Sequence, residues 1–231
     1  MANDALKITF SILIIFVSSC SEQNTNQDQL QKPQILWANS TPDRDSILIQ
    51  WEANTESDID SYKIYRSQLA GEEDFRLIAE VPNADDQYED TEISLGEKYY
   101  YRVTALNYNS IESEPSDIVY YTLLRKPILL RPIENAVIPP DHIVFEWMPV
   151  SGASSYQIHV YKSREDGWWE IWQSSMTYPY QQLKRVFNDD YLALEEPQDD
   201  GNYRWNVTCS GGKSAGSQSR WGHFSVQSLG N

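Results

Sequence analysis

The chain has 231 residues and a formal net charge of −16 at pH 7. A surface this acidic repels polyphosphate backbones and anionic lipid headgroups, which argues against nucleic acid as a partner. Hydrophobic residues make up 40% of the chain and aromatic residues 13%, enough to build a core in each of two small domains. The composition therefore argues against a disordered chain.

The N-terminus predicts a secretion signal. Lys7 precedes an uninterrupted, largely apolar run over residues 8–17 (ITFSILIIFV). The run is shorter than the roughly 20 residues that a helix needs to cross a membrane, so it is typical of a signal peptide, here residues 1–19. An uncleaved anchor or a buried helix is the other interpretation.

The residues after this run form a short motif, Val17-Ser18-Ser19-Cys20. It resembles the lipobox of bacterial lipoproteins, which implies that Cys20 is diacylated and becomes the first mature residue. Two acyl chains suffice for stable membrane anchoring. The resemblance implies a lipid-anchored protein of the bacterial cell envelope. Ser21, directly after the cysteine, is compatible with transfer to an outer membrane, and whether the protein faces the periplasm or the surface stays open. Residues 20–32 are then the lipidated cysteine and a polar, flexible tether.

Residues 33–124 show the two-residue period of β-strands. Apolar and aromatic side chains alternate with polar ones in several short runs separated by turns. About seven strands at this spacing predict an antiparallel sandwich. The alternating positions are Ile47, Ile49 and Trp51, then Tyr62 and Ile64, then Tyr99, Tyr101, Val103 and Ala105.

Several of these residues together resemble a bacterial fibronectin type III domain. The resemblance implies that Trp51 is a core residue of the second strand and that Tyr99 forms a tyrosine corner, bonding to backbone a few residues upstream. Both would be residues of the fold and not of a binding site. The set consists of Trp51, Tyr62–Arg66, Tyr88–Thr91, Gly96, Tyr99, Val103–Asn107 and Ser113–Ser116.

Residues 127–228 repeat this plan more loosely and resemble divergent fibronectin type III or immunoglobulin-like domains. Alternation recurs, and Tyr203 takes the role of Tyr99. The segment 178–197 departs from the plan, and we expect an extra strand or a short helix there, with Leu183, Val186 and Phe187 facing the core. The predicted fold class is all-β: two tandem antiparallel β-sandwiches, which abut because their linker is short.

No residue set indicates catalysis. His142, His159 and His223 lack the spacing of a zinc site within one element. Paired aspartates occur where turns are expected, so turn geometry explains them, although calcium stays open. We therefore predict no enzyme activity, no catalytic residues, no metal and no cofactor.

Two further motifs have structural interpretations. Strand alternation puts Cys209 on the face of Tyr203, Trp205 and Val207, so we expect a buried apolar role and not a reactive thiol. The run Gly211-Gly212-Lys213-Ser214 imitates the end of a phosphate-binding loop, but its earlier glycine is missing and a hairpin turn is expected.

The run Gly167–Trp172 (GWWEIW) carries the main functional hint. Strict alternation would place Trp168, Glu170 and Trp172 on one face of a strand and Trp169 and Ile171 on the other. Since both faces cannot be core, at least one indole is exposed or lies beneath the segment 178–197. The candidate partner or ligand surface is Trp168, Trp169 and Trp172.

The functional hypothesis is a non-catalytic interaction, adhesion or scaffold module that is anchored by lipid and binds another envelope protein. A glycan-binding accessory module, with the three tryptophans stacking on sugar rings, is the alternative. The fibronectin resemblance supports the first hypothesis by analogy alone. Oligomeric state and the identity of the partner or glycan stay open.

Overall fold

A computed structural model describes residues 29–71, 74–177 and 183–228. The predicted signal peptide and Cys20 lie outside these ranges. The described residues form sixteen β-strands and no α-helix, and they include no helix long and apolar enough to cross a membrane. The predicted all-β fold class is confirmed.

The first sandwich contains seven strands in two sheets. They are β1 (Gln34–Ser40), β2 (Ile47–Glu52), β3 (Ile59–Ser67), β4 (Arg76–Pro82), β5 (Gln87–Asp90), β6 (Lys98–Asn107) and β7 (Val119–Leu123). One sheet has the order β1-β2-β5 and the other β7-β6-β3-β4. Trp51 on β2 is buried and packs against Tyr62 on β3, with ring centroids 5.4 Å apart. The alternating residues of the two sheets thus face each other across one core.

The second sandwich contains nine strands. They are β8 (Leu129–Arg131), β9 (Ala136–Ile138), β10 (Val144–Trp147), β11 (Ser155–Arg164), β12 (Gly167–Thr177), β13 (Lys184–Val186), β14 (Gly201–Ser210), β15 (Ala215–Gln218) and β16 (Gly222–Val226). One sheet is β13-β10-β8, and the other runs β12-β11-β14, with β15 and β16 successively pairing β14. Phe145 lies in the core, in ring contact with Trp172, Trp205 and Phe224.

A tyrosine closes each sandwich in the same way. The backbone N–H of Ser94 donates to the hydroxyl of Tyr99 at 2.9 Å, and the N–H of Gln198 donates to that of Tyr203 at 2.9 Å. Both bonds reach five residues upstream, as the tyrosine-corner resemblance implies. The predicted hairpin turn at residues 211–214 is confirmed as well, since it joins β14 to β15.

The segment 178–197 contributes an extra strand, β13, which pairs with β10. Leu183 is buried and Phe187 packs on the core, as expected. The expectation for Val186 is wrong, because its side chain is exposed. Val186 pairs with Val144, and Val144 points to the face of β10 opposite to that of the buried Ile143 and Phe145.

The two sandwiches are joined by strand pairing. β7 and β15 run parallel, with N–H to O bonds from Thr122 to Ser214 and from Leu124 to Gly216, each 2.9 Å. The ammonium of Lys126 donates to the carbonyls of Thr41 and Gln218, which belong to different sandwiches. A single ten-stranded sheet therefore runs through both sandwiches, a closer connection than the abutment that the linker length predicts.

Candidate functional site

The β11–β12 hairpin displays two tryptophans near its tip. Arg164 pairs with Gly167, so Glu165 and Asp166 make a two-residue connection. Gly167 has φ of 131°, a conformation that side chains other than glycine's rarely allow. Trp168 and Trp169 follow at once, and they are 37% and 49% exposed.

The third predicted tryptophan of this surface, Trp172, is buried at 1% exposure, so its placement there is wrong. The cause is a β-bulge at Ile171. Tyr161 pairs with Glu170 and Val160 with Trp172, so Ile171 is an extra residue on β12. A bulge reverses the alternation that follows it, and both Ile171 and Trp172 therefore face the core.

Trp168 belongs to a stack of aromatic rings around one guanidinium on the outer face of the sheet. The Cζ atom of Arg204 lies 4.0 Å from the ring centroid of Trp221, 4.7 Å from that of Trp168 and 5.4 Å from that of Tyr161. Burial lowers the pKa of Arg204, and Tyr161 opposes this. Cation–π attraction holds the charged group over these rings.

A pair of polar side chains, His159 and Glu170, borders this stack. His159 and Glu170 lie 2.6 Å apart, Nδ1 to Oε1. Burial, together with the adjacent Glu170, raises the pKa of the Tyr161 phenol to about 12. His159 is half-buried on the outer face.

Trp169 lies on the opposite face of the hairpin from Trp168. Its indole N–H donates to Oδ1 of Asp166 at 2.8 Å, and the guanidinium of Arg164 lies 5.1 Å from its ring centroid. Arg164 in turn binds Glu195 at 2.9 Å. These contacts hold a half-exposed indole in a fixed orientation.

A partly buried polar network lies beneath the hairpin and holds Trp172. Its indole N–H donates to Asp190 at 2.8 Å, and the Ser174 hydroxyl donates to the same carboxylate at 2.5 Å. Arg185 contacts Asp190 at 3.2 Å. Although burial acts to raise the pKa of Asp190, the hydrogen bonds from Ser174 and Trp172 and the Arg185 charge lower it overall.

The described ranges contain metal-ligating side chains and a thiol. No cluster of three or more His, Cys, Asp or Glu side chains there could hold a metal ion. Cys209 is buried, as predicted, and burial raises the pKa of its thiol. A thiol is a poor nucleophile under these conditions because the thiolate is the reactive form.

Comparison with known proteins identifies the first sandwich. Residues 31–121 match the sequence model of the Fibronectin type III domain. Among curated proteins, none matches this sequence.

Solved structures similar to the chain include an Fn3-like protein from Clostridium thermocellum, at 27% identity and TM-score 0.35, covering 39% of this chain and 90% of that one. A beta-1,2-glucanase from Parabacteroides distasonis is 33% identical at TM-score 0.36, with 41% of this chain and 13% of that chain covered. The FN1-FN3 domains of chicken CNTN1 are 14% identical at TM-score 0.40, covering 86% and 68%.

Proposed function

We propose that this chain is a non-catalytic, lipid-anchored binding module of the bacterial cell envelope, since residues 31–121 are a fibronectin type III domain, a type commonly used for binding or scaffolding. The module binds another envelope protein through its β11–β12 hairpin. The observation that carries this proposal is the exposure of Trp168 and Trp169 at the hairpin tip, 37% and 49%, although both side chains are held in place.

Held aromatic side chains are good anchors for a protein partner. Tryptophan is among the residues that contribute most to interface affinity. Binding normally costs side-chain entropy, but Trp169 has already lost much of it because Asp166 bonds its N–H and Arg164 covers its ring. The nearby acids Glu165 and Asp166 would form the polar rim of such an interface.

The geometry favours a protein over a glycan at this hairpin. Trp168 and Trp169 lie on opposite faces, so they cannot form one platform for consecutive sugar rings. A guanidinium covers part of each ring, Arg204 on Trp168 and Arg164 on Trp169. Trp172, the third residue of the predicted glycan surface, is inaccessible.

Recovery of the partner tests this surface. Trp168→Ala/Trp169→Ala should reduce the protein that co-purifies with the chain from solubilised membranes by about tenfold or more, as expected for the loss of interface anchors. Tyr100→Ala/Tyr120→Ala is the matched control, because it removes an aromatic pair from the outer face of the first sandwich, with ring centroids 5.7 Å apart. Equal loss in both variants would contradict the proposal, and loss of polysaccharide retention instead would favour the glycan alternative.

The lipid anchor has a separate test. Cys20→Ala removes the acylation site and with it two acyl chains, so the variant should move from the membrane fraction to the soluble fraction of lysed cells. Fractionation of cells that express each version checks this. A Cys20→Ala chain that still sediments with membranes would rule out this mode of attachment.

A further inference from the structure

A cavity of about 660 Å³ lies beside the junction of the two sandwiches. One of its lining residues, His223, has its ring centroid 6.2 Å from that of Trp168. Cavities of roughly 300–1,000 Å³ are typical of sites for small organic ligands. Residues from the linker, β8, the turn before β9 and the chain around β16 line it. They are Lys126, Pro127, Ile128, Leu129, Ile133, Glu134, Asn135, Arg220, Trp221, Gly222 and His223.

One part of the lining is apolar. Ile128, Leu129, Ile133 and Trp221 contribute hydrocarbon and an indole ring. Ile128 is 55% exposed, so much of its side chain is open to water. Covering this surface would remove apolar area from water, a favourable change of about 25 cal/mol for each Å².

The other part of the lining is cationic, in a chain whose net charge is −16. Lys126 uses two of its three N–H donors on Thr41 and Gln218, which leaves one. The guanidinium of Arg220 forms no hydrogen bond or ion pair with the part of the chain that the structure describes, although the backbone carbonyl of Arg220 accepts from the Ser219 hydroxyl. The two like charges face one cavity, and Glu134 is the only carboxylate among its lining residues.

The pKa of Lys126 agrees with this picture. Burial lowers it, Asp45 opposes the change, and the charge of Arg220 lowers it further. An anion placed between the two cations would relieve their repulsion.

We propose that this cavity binds a small organic acid: a carboxylate that pairs with Arg220 and Lys126, attached to a ring that packs on Trp221 and Ile128. Arginine suits this task because its planar fork of donors matches a carboxylate. The site goes beyond the proposed partner surface, because neither Trp168 nor Trp169 is among the residues that line the cavity.

The probe is 3-phenylpropanoate, titrated into the full chain and followed by the NMR shifts of the indole N–H of Trp221. Two related compounds separate the contribution of the ring from that of the charge. The compound 3-phenylpropanamide keeps the ring without the charge, and propanoate keeps the charge without the ring. We expect both to bind about tenfold more weakly or worse, because each loses one half of the recognition. A peptide that ends in a free phenylalanine carboxylate distinguishes a protein C-terminus from a free acid as the natural source.

Two variants with opposite expected effects on binding of the probe make the test specific. Arg220→Gln should weaken binding about tenfold or more, as for the loss of a charge-assisted hydrogen bond, whereas Glu134→Gln should tighten it. Arg125→Gln is the matched control, because Arg125 is exposed in the same linker but does not line the cavity. No binding of the probe, equal binding of the amide, or equal weakening by Arg125→Gln and Arg220→Gln would overturn the proposal.

Discussion

Replacing Trp172 by Ala should lower the free energy of unfolding of the second sandwich by about 3–5 kcal/mol, as large-to-small changes of buried aromatic residues do. The indole is 1% exposed, contacts Phe145 and Phe187 and donates its N–H to Asp190. Its removal leaves a cavity and deprives the Asp190 carboxylate of one hydrogen-bond donor. Hydrogen exchange of the β11 and β14 amides, read as local stability, measures the loss.

Trp169→Ala is the control for this change. Trp169 is also a tryptophan of β12, two positions before the bulge, but its indole is 49% exposed. We expect a loss below about 1 kcal/mol, because surface substitutions leave no cavity. If Trp172→Ala were as mild as Trp169→Ala, the bulge at Ile171 and the burial that follows from it would be wrong.

Asp90→Ala should destabilise the first sandwich by about 3–5 kcal/mol, the usual cost of removing one partner from a buried ion pair. The Asp90 side chain is 2% exposed, and Nη1 of Arg66 contacts both of its oxygens at 2.9 and 2.8 Å. The buried hydroxyl of Tyr101 donates to the same carboxylate at 2.9 Å. The variant leaves the Tyr101 hydroxyl without its acceptor and leaves Arg66 with the Glu92 carbonyl alone, so the amides of β2 and β6 should exchange faster.

The matched control for Asp90 is the ion pair between Lys32 and Asp117, whose side chains are 53% and 92% exposed. Asp117→Ala should cost less than about 1 kcal/mol, since exposed pairs contribute little. Similar losses from Asp90→Ala and Asp117→Ala would show that burial does not distinguish the two carboxylates.

The strands and cores could be predicted from the sequence because they follow a local period. Residues such as Ile47, Ile49 and Trp51 alternate without interruption, and all three are buried. The tyrosine corners were implied by the fibronectin type III resemblance, and Tyr203 was matched to Tyr99 by its comparable place in an alternating strand. Such patterns need no knowledge of distant residues.

The candidate site was predicted less well because its geometry depends on a local irregularity. An extra residue such as Ile171 reverses which face of the strand the following side chains occupy. Nothing in GWWEIW marks the position of the bulge. The role of Asp190 was missed because a turn explains an aspartate well enough without reference to Trp172. Arg204 could have been found: its neighbours Tyr203 and Trp205 are core residues, so alternation places the guanidinium on the outer face.

The connection between the sandwiches could not be predicted from either half alone. Strand pairing between β7 and β15 joins residues about ninety positions apart, such as Thr122 and Ala215. The short linker limits the distance between the domains but does not specify which edges meet. The pairing places the hairpin on a unit that is continuous with the first sandwich.

Contact at Trp169 in intact cells is the most direct measure of the central claim, that the hairpin binds an envelope protein. A photo-crosslinking residue at position 169 should give one discrete adduct with a membrane or periplasmic protein. The same residue at position 137 should give none, because Val137 lies on strand β9, outside the hairpin, and is 61% exposed. Equal labelling from both positions, or no protein adduct from position 169, would contradict the account.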